Sequence, residues 1–459
     1  MKVGSIFKYF LCIIVICLVI SLIYKVPALL KNEDLNVFVH SAYYFKKSHS
    51  LGNNAIAILM TMERSAAEKI ENSGMSIVEI DDQMYDQTNI INFDIEPLHL
   101  TKSDLVTVLA KSNIHSKPIQ TELRINDGTI QIPIKKLRKE VFSPVVFCFS
   151  PLIMLNQWQK LMLQVLISNK YQGHVHLYIS RLTKIYIDVI KYYSKNKLLS
   201  YEIWPDTSFA PEDEPLFHFE MRTKKATNTD CLLQFKNIAQ FISFPDLEDL
   251  LIPNSGLTYS EEFSKYFESS TNLLFYQKIN FEFMLNENRW LTDSIIRLVD
   301  GSYTGNTIIQ PKYYNSTWSH LLNEDEKIPI TEKAKNYILH IKKIDWIDVT
   351  KSKKFNNIFM NSNISEEIDE QIRMFSVNLP RTDQYAQKNW DCYKSRFYII
   401  HNSDIFKNSR NCTRDSLRSF EGDGSCLRAD TITKTGPKLG SFNIFYPTFT
   451  FLTETSLCF

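Results

Sequence analysis

Val145-Val146-Phe147-Cys148-Phe149-Ser150, closed by Pro151, is an apolar run without alternation, the pattern of a strand covered on both faces. From about residue 156 to 170, Trp158, Leu161, Met162, Val165 and Leu166 then recur at helical spacing. The unit repeats: 174–179 reads as strand, 184–193 as helix and 199–204 as strand, and a helix near 224–240 leads into a strand at 241–244. Strands alternating with helices of about ten to fifteen residues predict an α/β fold with a mostly parallel sheet over 141–345. Ligands of such a sheet gather at the carboxyl ends of its strands.

One of those ends carries Phe244-Pro245-Asp246-Leu247-Glu248-Asp249-Leu250-Leu251-Ile252-Pro253. Carboxylates this close repel one another and call for a cation. Mn²⁺ or another hard divalent ion, completed by substrate phosphate oxygens, answers that need. Such an ion offsets the charge on a departing diphosphate, as transfer from a nucleotide sugar requires. A bare D-x-[DE] is also what a solvated acidic turn looks like, and its place after an apolar strand is what favours the metal reading. Arg222 and Lys236, on the helix before the run, are candidate donor-binding cations, Arg222 in bidentate fashion. Ser150, at the end of the first strand, is a candidate for nucleotide contact on position. His174 and His176 share a strand face and read as structural, because the residues between and around them are apolar.

Upstream, 36–140 reads as a β-rich accessory region: Asn36-Val37-Phe38-Val39 and residues 55–60 are strand-like, and 123–132 is a hairpin turning at Asp127-Gly128. Before it, residues 1–8 form a short tail and 9–24 an apolar segment flanked by Lys8 and Lys25, with 25–35 as a stem. The segment lacks a small-residue cleavage site, which predicts a single transmembrane signal-anchor rather than a removed leader. Downstream, 346–459 holds four of the six cysteines outside the apolar segment, namely Cys392, Cys412, Cys426 and Cys458, besides Cys148 and Cys231. An even set behind a secretory N-terminus predicts disulfides. Sequons at Asn315, Asn363 and Asn411 agree with a lumenal body. Together these place the protein in the Golgi or ER membrane as a single-pass type II chain.

A formal charge of +1 over 459 residues argues against a nucleic-acid polymer as partner, and with only 12 glycines there is neither a dinucleotide fingerprint nor a P-loop.

From about residue 145 to 340 the chain resembles glycosyltransferase family 92. The resemblance is carried by Val146-Phe147-Cys148-Phe149-Ser150-Pro151-Leu152, Gln157-Trp158-Gln159, His174-Val175-His176-Leu177-Tyr178 and Thr229-Asp230-Cys231-Leu232-Leu233-Gln234-Phe235-Lys236. The acidic run, Thr258-Tyr259-Ser260-Glu261-Glu262-Phe263 and Asn315-Ser316-Thr317-Trp318-Ser319-His320 follow in order, and Ser50-Leu51-Gly52-Asn53-Asn54-Ala55 resembles an upstream segment. The resemblance implies a GT-A-like nucleotide-sugar-binding domain and a divalent metal. It also implies inverting transfer of galactose from UDP-galactose to a glycan acceptor of the N-glycan type. Asp246, Glu248 and Asp249 fall on the family's D-x-D-D, with Glu248 where the family usually has Asp, and His320 falls on a family histidine that would complete the metal set. The extra methylene of Glu248 keeps a second expectation open, a lumenal glycan-binding or scaffold protein of the same fold that has lost turnover. The general base stays unassigned, since nothing distinguishes Glu287, Asp293 and Asp300.

Overall fold

The computed structural model describes residues 35–73, 75–80, 89–92, 94–97, 105–115, 120–125, 128–139, 143–152, 158–205, 216–253, 257–267, 273–286, 295–317, 336–347, six positions between 365 and 373, 426–435 and 442–455. The expected membrane segment, His320, Asn363 and Asn411 lie outside them. No described helix is long and apolar enough to cross a membrane.

An eight-stranded sheet forms the centre, in the order Leu199–Ile203, Gly173–Ile179, Val145–Leu152, Phe241–Ser243, Ile295–Ile309, Leu273–Asn286, Ile338–Ile347, Asp249–Leu251. The first four strands run parallel, as the repeating strand–helix pattern predicts. The second half makes the sheet mixed: Leu273–Asn286 still pairs parallel with Ile338–Ile347, but its other pairings are antiparallel. Phe241–Ser243 pairs antiparallel with Ile295–Ile309, which forms a long antiparallel ribbon with Leu273–Asn286.

The unbroken apolar character of 145–149 follows from two different covers. Val145, Phe147 and Phe149 pack with Trp158, Leu161 and Val165 of the helix Trp158–Lys170 and with Ile190 of the helix Ile187–Lys195. Val146 and Cys148 point the other way, onto Ala226, Leu232 and Leu233 of the helix Leu216–Phe235 and onto Tyr43, Ala57 and Leu59. A strand buried on both faces has no solvent side to make polar. That long helix starts and ends earlier than its apolar pattern suggests. Cys231 on it is joined to Cys148 across 83 residues of sequence, a pairing the cysteine count alone leaves undetermined.

The β-rich upstream region is not a module apart. Its strands Leu35–Ser48, Gly52–Glu63 and Leu105–Asn113 belong to a seven-stranded sheet completed by Cys426–Thr435 and Phe442–Thr455 from the far end of the chain. Leu35–Ser48 pairs parallel with Phe442–Thr455, so the two ends of the described chain meet in one sheet. Arg181–Thr183, directly after a central strand, closes its edge against Cys426–Thr435. A four-stranded sheet holds the two strands of the predicted hairpin, Gln120–Ile125 and Gly128–Gln131, with Ile125 opposite Gly128, so Gly128 belongs to the strand rather than the turn.

The upstream segment that carries the family resemblance is a tight turn: Gly52 sits at φ +88°, and a Cβ there would come 2.8 Å from Asn113 Nδ2. Asn113 spends that amide on the carbonyls of Leu51 and Asn53, each at 2.9 Å.

Candidate active site

The acidic run begins where the fourth parallel strand, Phe241–Ser243, ends, as anticipated for a ligand site. Pro245 removes a donor and cannot extend the ladder, so the chain turns. The turn closes on itself: Asp249 N–H donates to the Asp246 carbonyl at 2.9 Å, and the Asp246 amide donates to Asp249 Oδ2 at 3.0 Å. The run is then gripped on both sides. Gln164 Nε2 donates to the Leu247 carbonyl at 3.0 Å, and Ile341 N–H donates to the Glu248 carbonyl at 2.8 Å. Asp249–Leu251 leaves as a strand paired with Ile338–Ile347, which sets Asp249 opposite His340.

The three carboxylates differ in setting. Asp249 is fully buried: its Oδ2 takes Lys278 Nζ and Asn306 Nδ2, both at 2.6 Å, and its Oδ1 lies 2.8 Å from His340 Nδ1. Asp246 is 37% exposed, with Lys224 on Oδ1 and Lys278 on Oδ2 at 3.3 Å. Glu248, 24% exposed, receives Lys160 Nζ at 3.2 Å. Burial alone would raise the Asp246 pKa, but the ammonium groups of Lys224 and Lys278 hold it well below the usual carboxylate range. Lys278 shows the reciprocal effect: burial would lower its pKa, yet Asp246 and Asp249 raise it. The site is therefore a network of carboxylates and ammonium groups drawn from four elements.

Of the sequence candidates, the structure brings together Asp246, Glu248 and Asp249 and leaves two donor-binding candidates elsewhere. Lys236 is 2% exposed, and its ammonium group caps the carbonyls of Pro311 and Tyr314, which lie in a turn away from the run. Burial brings its pKa down to about 7. Arg222 is buried and is felt by His40 of the seven-stranded sheet, whose pKa falls to about 3 through burial first and the Arg222 charge second. On a helix, positions 222 and 224 point some 200° apart, so the residue that meets Asp246 is Lys224. The hydroxyl of Ser150 is buried without a hydrogen-bond partner among the described residues.

His174 and His176 prove structural. Both rings bond Ser200 Oγ, at 2.8 and 2.7 Å, and burial keeps them neutral, His174 with a pKa of about 4.

The sequence reading missed five partners: Lys160, Lys224, Lys278, Asn306 and His340. Lys160 and Gln164 stand four apart on one helix, and both reach the run, so that polar pair in an otherwise buried helix was a legible signal. His340 interrupts the apolar series Ile338-Leu339-His340-Ile341.

No group of three or more His, Cys, Asp and Glu forms a ready-made metal cage among the described residues. The donor types nevertheless fit a divalent ion that keeps substrate oxygens in its shell. Asp246 and Glu248 have accessible carboxylates, while Asp249, with both oxygens engaged, braces the turn and orients His340.

The carboxylate–lysine network lies at the carboxyl end of the fourth parallel strand of a mixed sheet, and the sequence comparisons supply the class of protein. Residues 143–376, about half the chain, match the profile of Glycosyltransferase family 92. The chain belongs to glycosyltransferase family 92 and is a glycosyltransferase. Two Caenorhabditis elegans proteins bearing the family's name are each 26% identical to it. One alignment covers 92% of this chain and 90% of the relative, the other 94% and 91%. Staphylococcus aureus TarS, solved in complex with UDP, overlaps 62% of this chain and 96% of its own at 11% identity and a TM-score of 0.21.

Proposed function

We propose that this glycosyltransferase moves galactose from UDP-galactose to a glycan acceptor with inversion, using a GT-A-like domain and a divalent cation, Mn²⁺ best. The observation that carries the reading is the placement of Asp246 and Glu248, accessible carboxylates on a turn at the end of a parallel strand, within a family that transfers sugars. The cation, when bound, would offset negative charge on the departing diphosphate. Asp249 keeps the turn closed and holds His340 in place, and Lys278 ties Asp246 to Asp249 from beneath. Lys160 takes up the extra length of Glu248, which gives the departure from the family's aspartate a local counterpart.

The setting we propose is the lumen of the Golgi or ER, with residues 9–24 as the anchor of a type II chain. The Cys148–Cys231 disulfide supports an oxidising compartment. The test is transfer by the full chain from UDP-galactose to N-glycan acceptors with and without Mn²⁺. Turnover that requires the cation is expected. A folded protein that binds UDP and a glycan yet turns over no UDP-sugar would favour the second reading, a degenerate member of the fold. The observation behind that reading is that three lysines already neutralise the run.

A further inference from the structure

Three carboxylates of the run meet three ammonium groups, so the side chains of the site balance one another's charge. The three lysines are not equivalent. Lys160 and Lys278 are 3% and 8% exposed, and Lys278 bridges two carboxylates. Lys224 is 25% exposed and holds Asp246 through Oδ1, while Lys278 reaches Oδ2 of the same group. Asp246 thus keeps a compensating charge if Lys224 leaves, and the flexible stem of a lysine lets its ammonium group swing.

A divalent cation entering a balanced site alone leaves an excess of two positive charges. The diphosphate of a nucleotide sugar entering alone leaves two negative ones, and the pair together cancels. Desolvated charge imbalance is costly, so each ligand favours the other. Resting on the nucleotide-sugar reading above, we propose that Lys224 is a partner-switching donor ligand. It pairs with Asp246 as described and moves to the donor diphosphate when a cation takes its place at Asp246, so cation and diphosphate bind as a pair.

Calorimetric titration of the full chain in detergent tests this, using Mn²⁺ alone, UDP alone and UDP in saturating Mn²⁺. The parent should bind UDP about tenfold or more tightly with Mn²⁺ than without. In Lys224→Met, Mn²⁺ alone should bind more tightly, because Asp246 is released, while UDP in Mn²⁺ should bind about tenfold more weakly, the scale of one charge-assisted contact. Lys224→Arg should keep the parent's coupling. If Lys224→Met binds UDP in Mn²⁺ as the parent does, the inference is wrong and the nucleotide-sugar reading stands. If the parent itself binds no UDP under any condition, that reading fails and takes the inference with it.

Discussion

Asp249 and His340 face each other across neighbouring antiparallel strands, with imidazole Nδ1 2.8 Å from carboxylate Oδ1. Backbone register makes the pair, and the remaining oxygen of Asp249 is left to Lys278 and Asn306. The two residues should therefore respond differently to substitution. In His340→Ala the carboxylate keeps its other partners, so denaturant unfolding should show a loss of only about 1 kcal/mol, while kcat/KM falls about 10- to 100-fold, the usual cost of losing an orienting partner. Asp249→Asn takes from the buried Lys278 its nearer carboxylate and leaves it Asp246 at 3.3 Å, and should cost about 1–3 kcal/mol of stability as well as activity.

Glu248→Asp tests whether the unusual glutamate is a defect. Shortening the side chain withdraws the carboxylate from Lys160, which is 3% exposed and 3.2 Å from it. A loss of about 1–3 kcal/mol is expected, read by thermal or chemical unfolding. Transfer should fall rather than rise, and an increase in activity on this substitution would mark the natural chain as degenerate.

Asp230 anchors the long helix to the seven-stranded sheet. Its Oδ1 accepts from Ser41 Oγ and Tyr43 OH at 2.6 and 2.7 Å, and its Oδ2 accepts from Tyr178 OH and Gln234 Nε2, each at 2.7 Å. Burial would raise its pKa, but Lys135 and these donors bring it below the ordinary value. Asp246 shifts in the same direction. A carboxyl with a depressed folded pKa contributes stability above its unfolded pKa of about 4 and loses it as pH falls toward the folded value. The unfolded chain protonates His40, His174 and His176 below about pH 6.5 while the folded chain holds them neutral, so the melting temperature should begin to fall below about pH 6.5 and fall more steeply below about pH 4, where the carboxyls join. Asp230→Asn should be about 3–5 kcal/mol less stable at pH 7 and show a shallower acid limb.

The three sequons should not behave alike. Asn315 Nδ2 donates to the Ser50 carbonyl at 3.2 Å, its Oδ1 is buried, and Thr317 Oγ1 lies 3.0 Å from Thr229 Oγ1. An amide whose Nδ2 is spent on a backbone carbonyl and whose Oδ1 is buried is a poor acceptor for a glycan. Glycopeptide mapping of secretory-pathway protein should find Asn315 unmodified, and substantial occupancy there would contradict the packing described.

Removing the Cys148–Cys231 crosslink should be felt by the whole domain. It closes 83 residues, for which loop entropy gives roughly 4–5 kcal/mol. Cys231→Ala should lower the unfolding midpoint in denaturant accordingly, with no change in the residues that face the run.

What could be read along the chain was what neighbours in sequence impose. The unbroken apolar run at 145–149 announced a strand buried on both faces, the spacing of Trp158, Leu161 and Val165 a helix, and Phe244-Pro245 the end of a strand just before three carboxylates. Local periodicity and turn chemistry carry that information. It did not carry which cations face the run. Arg222 looked apt by chemistry, but helix phase gives the position to Lys224, and Lys236 looked apt by proximity but turns toward Pro311 and Tyr314.

The sequence by itself therefore determined the parallel strand–helix series, the place of the acidic turn and the family. Tertiary structure alone decided that the turn is met by Lys160, Lys224, Lys278 and His340, from two helices and two strands up to 91 residues away in the chain. It also decided that residues 35–48 and 442–455 share a sheet. The reason is physical: periodicity reports which face of an element is buried, whereas the partner of a buried charge is set by register and helix phase between elements distant in sequence, where no local pattern reaches.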